Sequence, residues 1–129
     1  MLIRTCMAKI HRATVTEADL NYVGSITIDE DLLDAAGIKP FQYVIITSLA
    51  NGTFWQTYAI AGPRGKGGIC LNGSPAHHFK PGDMVIILAE AWLEPSELQN
   101  LTPTIVFVDS NNKITDVKKH SLLPHDAKA

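Results

Sequence analysis

Turn signals cut this chain into pieces too short for a helical core. Asn51-Gly52, Gly62 to Gly68, Asn72-Gly73-Ser74-Pro75, Pro81-Gly82-Asp83 and Asp109-Ser110-Asn111-Asn112 recur along it. Each favours backbone conformations that end a strand or helix. Between them lie short runs rich in β-branched and aromatic residues. Tyr43 to Leu49 and Thr53 to Ala61 flank Asn51-Gly52, which predicts a hairpin because both turn residues tolerate positive φ. Ile3 to Val15, Ile26 to Ile28, Ile69 to Leu71, Met84 to Trp92 and Thr104 to Val108 complete the predicted strands. Met84 to Trp92 is the most apolar run and reads as a central strand. Asp29 to Gly37 predicts a short helix. Asp29 caps its first amides, Leu32, Leu33 and Ala36 form its buried face, and Gly37 takes the left-handed stop. Pro75 is suited to open a second short helix through Ala76, His77 and His78. Short strands with Gly-rich turns imply a mainly β fold, a small closed barrel carrying one or two short helices.

The 129 residues are 46% hydrophobic and 19% charged, which predicts one globular domain over residues 1–129. No internal repeat or second-domain boundary is visible. A net charge of −2 argues against a nucleic-acid partner. No apolar run approaches the ~20 residues needed to cross a bilayer. Met1 to Lys9 has no long apolar stretch, so no signal peptide is expected and the predicted location is cytoplasmic. Cys6 and Cys70 read as small reduced core residues, a single disulfide being the alternative. After about Lys118 the composition turns polar, and residues 118–129 are expected to form a loose tail.

Several residues carry candidate chemistry. Gly24-Ser25 interrupts an extended run, and in most chains such a pair is only a turn. It also suits self-cleavage. The Ser25 hydroxyl can attack the Gly24 carbonyl, and Gly24 offers an unblocked approach and access to strained dihedrals. Lys9 and His11 share one face of a strand and are either solvated or able to hold an anion. Thr57-Tyr58 fits ordinary sheet packing, or a hydrogen bond to the scissile carbonyl and a proton donor. The amides of Asn72-Gly73-Ser74-Pro75 form a plain turn or a carboxylate site. His77-His78 does not share a helix face, so no metal site is expected. The Gly62–Gly68 segment lacks P-loop order and reads as a loop.

The order of these features resembles the pyruvoyl-dependent aspartate 1-decarboxylase family. The resemblance runs through Lys9-Ile10-His11-Arg12, Val15 to Ile26, Asp34 to Ile38, Thr57 to Ile60, Ile69 to Gly73 and Pro81 to Ile87. It spans residues 3 to 110, nearly the whole domain. It implies a double-psi β-barrel, a homotetramer with active sites between subunits, and self-cleavage between Gly24 and Ser25. Residues 1–24 become a β-subunit and 25–129 an α-subunit, with a possible maturation factor. Ser25 becomes a covalent pyruvoyl group that holds an amino-acid substrate as a Schiff base, with no metal and no pyridoxal phosphate. The resemblance assigns Thr57 to assisting cleavage, Tyr58 to proton donation, and His11 and Tyr22 to the processing site. Lys9, Thr57, Asn72, Gly73, Ser74 and Pro75 fall to substrate binding. The implied reaction is aspartate to β-alanine and CO₂, feeding pantothenate and coenzyme A.

The chain departs from the pattern at Phe54, where the family usually carries a carboxylate-binding arginine, and at Thr47, where many members have tryptophan. Ser74-Pro75 also replaces two alanines. Phe54 cannot make a charge-assisted fork. With Trp55 beside it, the sequence predicts a more aromatic pocket wall, with Arg12 or Arg64 as possible compensating cations. Two alternatives follow: a self-processed decarboxylase for another amino acid, and an uncleaved barrel that binds a small ligand or partner protein.

Overall fold

The computed structural model describes residues 1–120. In chain order the strands are β1 (Ile3–Thr14), β2 (Glu17–Asp19), β3 (Ser25–Asp29), β4 (Tyr43–Ser48), β5 (Phe54–Gly62), β6 (Ile69–Asn72), β7 (Met84–Leu93), β8 (Thr104–Val108) and β9 (Ile114–Lys119). Helix α1 (Glu30–Ala36) follows β3, a 3₁₀ turn (Ser74–His77) follows β6, and α2 (Pro95–Leu98) follows β7. The sheet order is β2-β6-β3-β5-β4-β7-β1-β8-β9. β1/β8, β2/β6 and β3/β5 pair in parallel, and the other neighbours are antiparallel. Past the end of β1, Thr16 closes onto the start of β6. Its N–H donates to the Ile69 carbonyl at 2.8 Å, and its Oγ1 accepts from the Ile69 N–H at 2.9 Å. Mixed pairing with crossed connections fits the expected double-psi β-barrel.

Strand alternation sorts the side chains. On β7, Val85, Ile87 and Ala89 face inward, while Ile86 and Leu88 face out and are only half-buried. With Ile10, Ile26, Ile28, Ile46, Leu71 and Phe79 they fill the barrel. β7 lies between β4 and β1, so its central position follows the sequence reading. β1 bulges against β7 between Ile10 and Ala13, where Arg12 has φ 62°.

Helix α1 closes one end by burying Leu32, Leu33 and Ala36, and it stops at Gly37 with φ 76°. Its cap, Asp29, is buried and does more than cap. Its carboxylate accepts from the amides of Asp31 (2.8 Å), Gly65 (3.1 Å) and Gly67 (2.7 Å), tying α1 to the 63–68 loop. Burial alone raises this carboxyl's pKa. The three backbone donors, Gly67 first, and Lys113 outweigh burial and hold it below 3.8. A depressed folded-state pKa gives stability that is present above the unfolded value and lost as pH falls through the lower, folded one. Asp29→Asn is therefore expected to cost about 2 kcal/mol at neutral pH, the scale of charged hydrogen bonds. Melting curves should show that gap closing as pH drops below 3.8. A gap that persists in acid would mean that packing, not charge, sets Asp29's contribution.

Three elements depart from the sequence reading. β2 and α2 are too short to leave a periodic signal. β9 is exposed along its whole length and has no apolar alternation, and it is held by pairing to β8. It runs to Lys119, past the predicted start of the tail. Residues 121–129 of that predicted tail lie outside the described residues. Cys6 and Cys70 are both free and only half-buried, not core residues. No described helix is long and apolar enough to cross a membrane.

Candidate active site

Gly24-Ser25 sits where an exposed segment enters the barrel. Tyr22, Val23 and Gly24 are exposed, and Ser25, the first residue of β3, is fully buried. β3 runs antiparallel to β6 with Ser25 opposite Asn72 and Thr27 opposite Cys70. Alternation places these four polar side chains on one face, with Ile26 and Leu71 on the core side. Asn72 is buried at their centre. Its Nδ2 donates to Ser25 Oγ at 3.0 Å and to Thr27 Oγ1 at 2.9 Å. Ser25 Oγ in turn donates to the Val23 carbonyl at 3.0 Å. The candidate nucleophile is therefore held by residues on both sides of the bond it would attack.

The conformational freedom that the sequence reading gives to Gly24 belongs to Gly73. Gly24 does not adopt positive φ, and a Cβ there would meet nothing closer than the Asn72 carbonyl oxygen at 4.0 Å. Gly73 has φ 82° and ψ −145°. A Cβ on it would lie 2.8 Å from Gly24 Cα and 3.2 Å from the Tyr22 carbonyl oxygen. The chain leaving β6 crosses the 22–24 segment at backbone contact, so the space is needed on the crossing strand. The Gly73 N–H donates to the Asp19 carbonyl at 2.7 Å. In the turn expected to bind a carboxylate, Ser74 is left with the open amide among the described residues, since Pro75 has none.

β5 brings the next pair. Ile26 lies level with Ala59 where the parallel β3/β5 ladder begins, so Thr57 and Tyr58 immediately precede the paired stretch of β5 as Gly24 and Ser25 precede that of β3. Thr57 is buried on the side of Ala59. Tyr58 is on the opposite face, the one that carries Ser25, and packs among aromatic rings. Its centroid is 6.2 Å from Phe41 and 6.3 Å from Tyr43.

Lys9 and His11 lie elsewhere on the wall. They do share a face of β1, as their spacing predicts, but β5, β4 and β7 separate β1 from β3 in the sheet order. Among the described residues no hydrogen bond or ion pair joins them to the Ser25 segment. His11 packs edge-on to Phe107 at 5.4 Å. Burial, with Arg12 and Lys9 nearby, lowers its pKa, so the ring is neutral at pH 7 and able to accept a proton. No group of three or more metal-ligating side chains occurs among the described residues.

Phe54 is exposed and lines a groove of about 350 Å³ with Arg4, Cys6, Leu88 and Glu90. Arg4 Nε donates to Glu90 at 2.6 Å and its Nη2 forms a second bond to the same carboxylate, so this cation is already paired. Arg64 is held by Glu30 (3.2 Å), Asp31 (3.0 Å) and Asp34 (2.6 Å) around α1 and is not placed to replace a cation at Phe54. Trp55 turns away from Phe54 and packs against the core and His78, so the expected double-aromatic wall reduces to Phe54.

Sequence reading missed Thr27 and Cys70 as neighbours of Ser25. Their spacing of two from Ser25 and Asn72 was the available signal, but it has meaning only once β3 and β6 are paired in register. Arg4 and Glu90 are 86 positions apart and leave no local signal.

The family model described as Aspartate decarboxylase matches residues 1–115 of this chain. An Aspartate 1-decarboxylase of Neisseria meningitidis serogroup C is 54% identical over 117 residues, 90% of this chain and 92% of its own. One from Carboxydothermus hydrogenoformans is 52% identical over 122 residues, covering 95% of this chain and 96% of its own. One from Ruminiclostridium cellulolyticum is 53% identical over 115 residues, 89% of this chain and 90% of its own.

Proposed function

The chain belongs to the aspartate decarboxylase family, and we propose that it converts L-aspartate to β-alanine and CO₂ after cutting its own backbone between Gly24 and Ser25. The observation that carries the cleavage is the buried Ser25 hydroxyl, held by Asn72 at the edge of an exposed segment. Ser25 Oγ bonds to the Gly24 carbonyl carbon, the Gly24–Ser25 C–N bond breaks, and the freed nitrogen takes the hydroxyl proton. The resulting ester eliminates: the Ser25 Cα proton leaves and Oγ departs with the Gly24 carboxylate. Water then hydrolyses the remaining enamine to a ketone and ammonia. Thr57, two residues before Ala59 on the strand that pairs with β3, is suited to donate to the carbonyl under attack. His11, neutral at pH 7, and Tyr22 beside the bond are the further processing residues.

The pyruvoyl ketone left at residue 25 would supply an electron sink for decarboxylation. The site fits it. The position is buried, and Asn72 Nδ2, which donates to Ser25 Oγ, offers a hydrogen bond there. Tyr58, on the face of Ser25, is the proton donor to the substrate carbon. Asn72, Gly73, Ser74 and Pro75 hold the substrate from one side with Thr57, and Lys9 supplies a cation for its carboxylate. Three strands separate Lys9 from β3 in the sheet order, which fits a site completed by a neighbouring copy in a homotetramer. Ile45, Leu88, Tyr43, Phe54 and Trp92 on the outer wall supply an apolar face for such packing. A maturation factor is compatible with this reading. β-Alanine synthesis for pantothenate and coenzyme A, with two free thiols, fits a cytoplasmic location.

A second reading is favoured by Phe54 and the paired Arg4: the same self-cleavage serving a less charged amino acid. Mass spectrometry tests both readings. Denaturing spectra should show two fragments meeting at residues 24 and 25, and native spectra four copies, with aspartate turned over to β-alanine. Cleaved protein that ignores aspartate and releases an amine from another amino acid would establish the second reading. A single species at 14.1 kDa would point to a missing maturation factor if incubation with a cell extract then cuts the chain, and would overturn both readings and leave a non-catalytic barrel if it does not.

A further inference from the structure

The four-residue polar face on β3 and β6 contains two members without a role in the reaction above, Thr27 and Cys70. Cys70 lies opposite Thr27, and its Sγ is 3.1 Å from Asn72 Oδ1, a short distance for a thiol donor. Burial, together with the carboxylates of Glu17 and Asp19, pushes the Cys70 thiol above its ordinary pKa, so the sulfur keeps its proton at neutral pH. Asn72 is thus held at both ends of its amide. The thiol donates to Oδ1, and Nδ2 donates to Ser25 Oγ and Thr27 Oγ1.

The two hydroxyls cannot select this orientation, because each either donates or accepts. A protonated thiol is a donor and at best a weak acceptor, so it selects the amide oxygen. We propose that Cys70 is a positioning residue for self-cleavage: its thiol fixes the Asn72 amide so that Nδ2, and not Oδ1, faces the Ser25 oxygen. This rests on the reading of Gly24-Ser25 as the processed bond.

The orientation matters at the moment of attack. As Ser25 Oγ gives up its proton it gains negative charge, and an N–H donor aimed at it stabilises that charge. A flipped amide would point an oxygen lone pair at the same atom. Asn72 is 3% exposed, so water has little access to take the place of the lost donor. The thiol acts through Asn72, without touching the scissile bond.

The test follows appearance of the cleaved fragments by denaturing mass spectrometry, starting from freshly made uncut chain. Cys70→Val, near in volume but without a donor, should lengthen the cleavage half-time about tenfold, the effect of losing one net hydrogen bond of ~1.4 kcal/mol. Cys70→Ser, which restores an O–H donor, should stay within about twofold of the unaltered chain, on the same estimate. Melting temperatures check that each variant is folded, and Cys70→Ala replaces the valine variant if the branched side chain unsettles β6. Rescue by serine separates positioning from packing, because serine packs no better than alanine. The proposal is overturned if valine and alanine variants cleave at the unaltered rate, or if serine is as slow as they are. An unaltered chain that never cleaves is a different outcome: it removes the processing reading, and this inference with it.

Discussion

Ser25→Ala is expected to leave one uncut species at 14.1 kDa under denaturing conditions, however long the protein is incubated. The substitution removes the atom proposed to add to the Gly24 carbonyl, and with it the precursor of the ketone. β-Alanine formation should fall to background, the largest effect available from one oxygen atom. The fold should survive. Ser25 is fully buried and its Oγ makes two hydrogen bonds, but Asn72 Nδ2 keeps its bond to Thr27 Oγ1 at 2.9 Å and Val23 is exposed, so the loss is two neutral hydrogen bonds, about 2 kcal/mol. A melting curve near that of the unaltered chain, read beside the mass spectrum, separates lost chemistry from lost structure. A chain that still cuts between residues 24 and 25 would mean that the nucleophile lies elsewhere.

Gly73→Ala is expected to be nearly as severe, by a different route. Residue 73 holds φ 82° and ψ −145°, a region that side chains rarely adopt, at a cost of about 1–3 kcal/mol. The new methyl would lie 2.8 Å from Gly24 Cα and 3.1 Å from Gly24 N, which are backbone atoms with no free rotamer to yield. The 22–24 segment has to move, and that movement falls on the bond to be cut. Cleavage should slow by about a hundredfold or more, the scale of a misplacement near 1 Å at a reacting centre. Gly52→Ala is the control. Its φ of 73° carries the dihedral penalty, but nothing lies within 4 Å of the added carbon. It should lower the melting temperature and leave cleavage unchanged. Equal slowing in both variants would show that global stability, not contact with Gly24, governs the cut.

These two residues mark how far reading the sequence reached. Ser25 was legible because its chemistry is written in its own side chain and its neighbour. Gly73 was legible only as part of a turn, because its function depends on the segment that passes beneath it. Period-two patterns, Asn-Gly and Pro-Gly turns, and the Asp29 and Gly37 caps are local, so the strands, α1 and the barrel class followed from the order of residues. Phe54 was visible as a departure, but not that Trp55 turns from it or that Arg4 and Glu90 flank it.

By itself, then, the sequence determined the alternation that fills the barrel and the set of chemistry-bearing residues, among them the bond proposed to break. Strand register alone decided which of them meet. It put Asn72 opposite Ser25 and Cys70 opposite Thr27, moved the need for glycine from residue 24 to residue 73, and left Lys9 and His11 on a distant strand. The reason is physical: a side chain's chemistry and a residue's preferred dihedrals are local properties. Contact across a sheet is set by pairing that any one stretch of sequence leaves undetermined, and a one-residue slip would send every side chain to the other face.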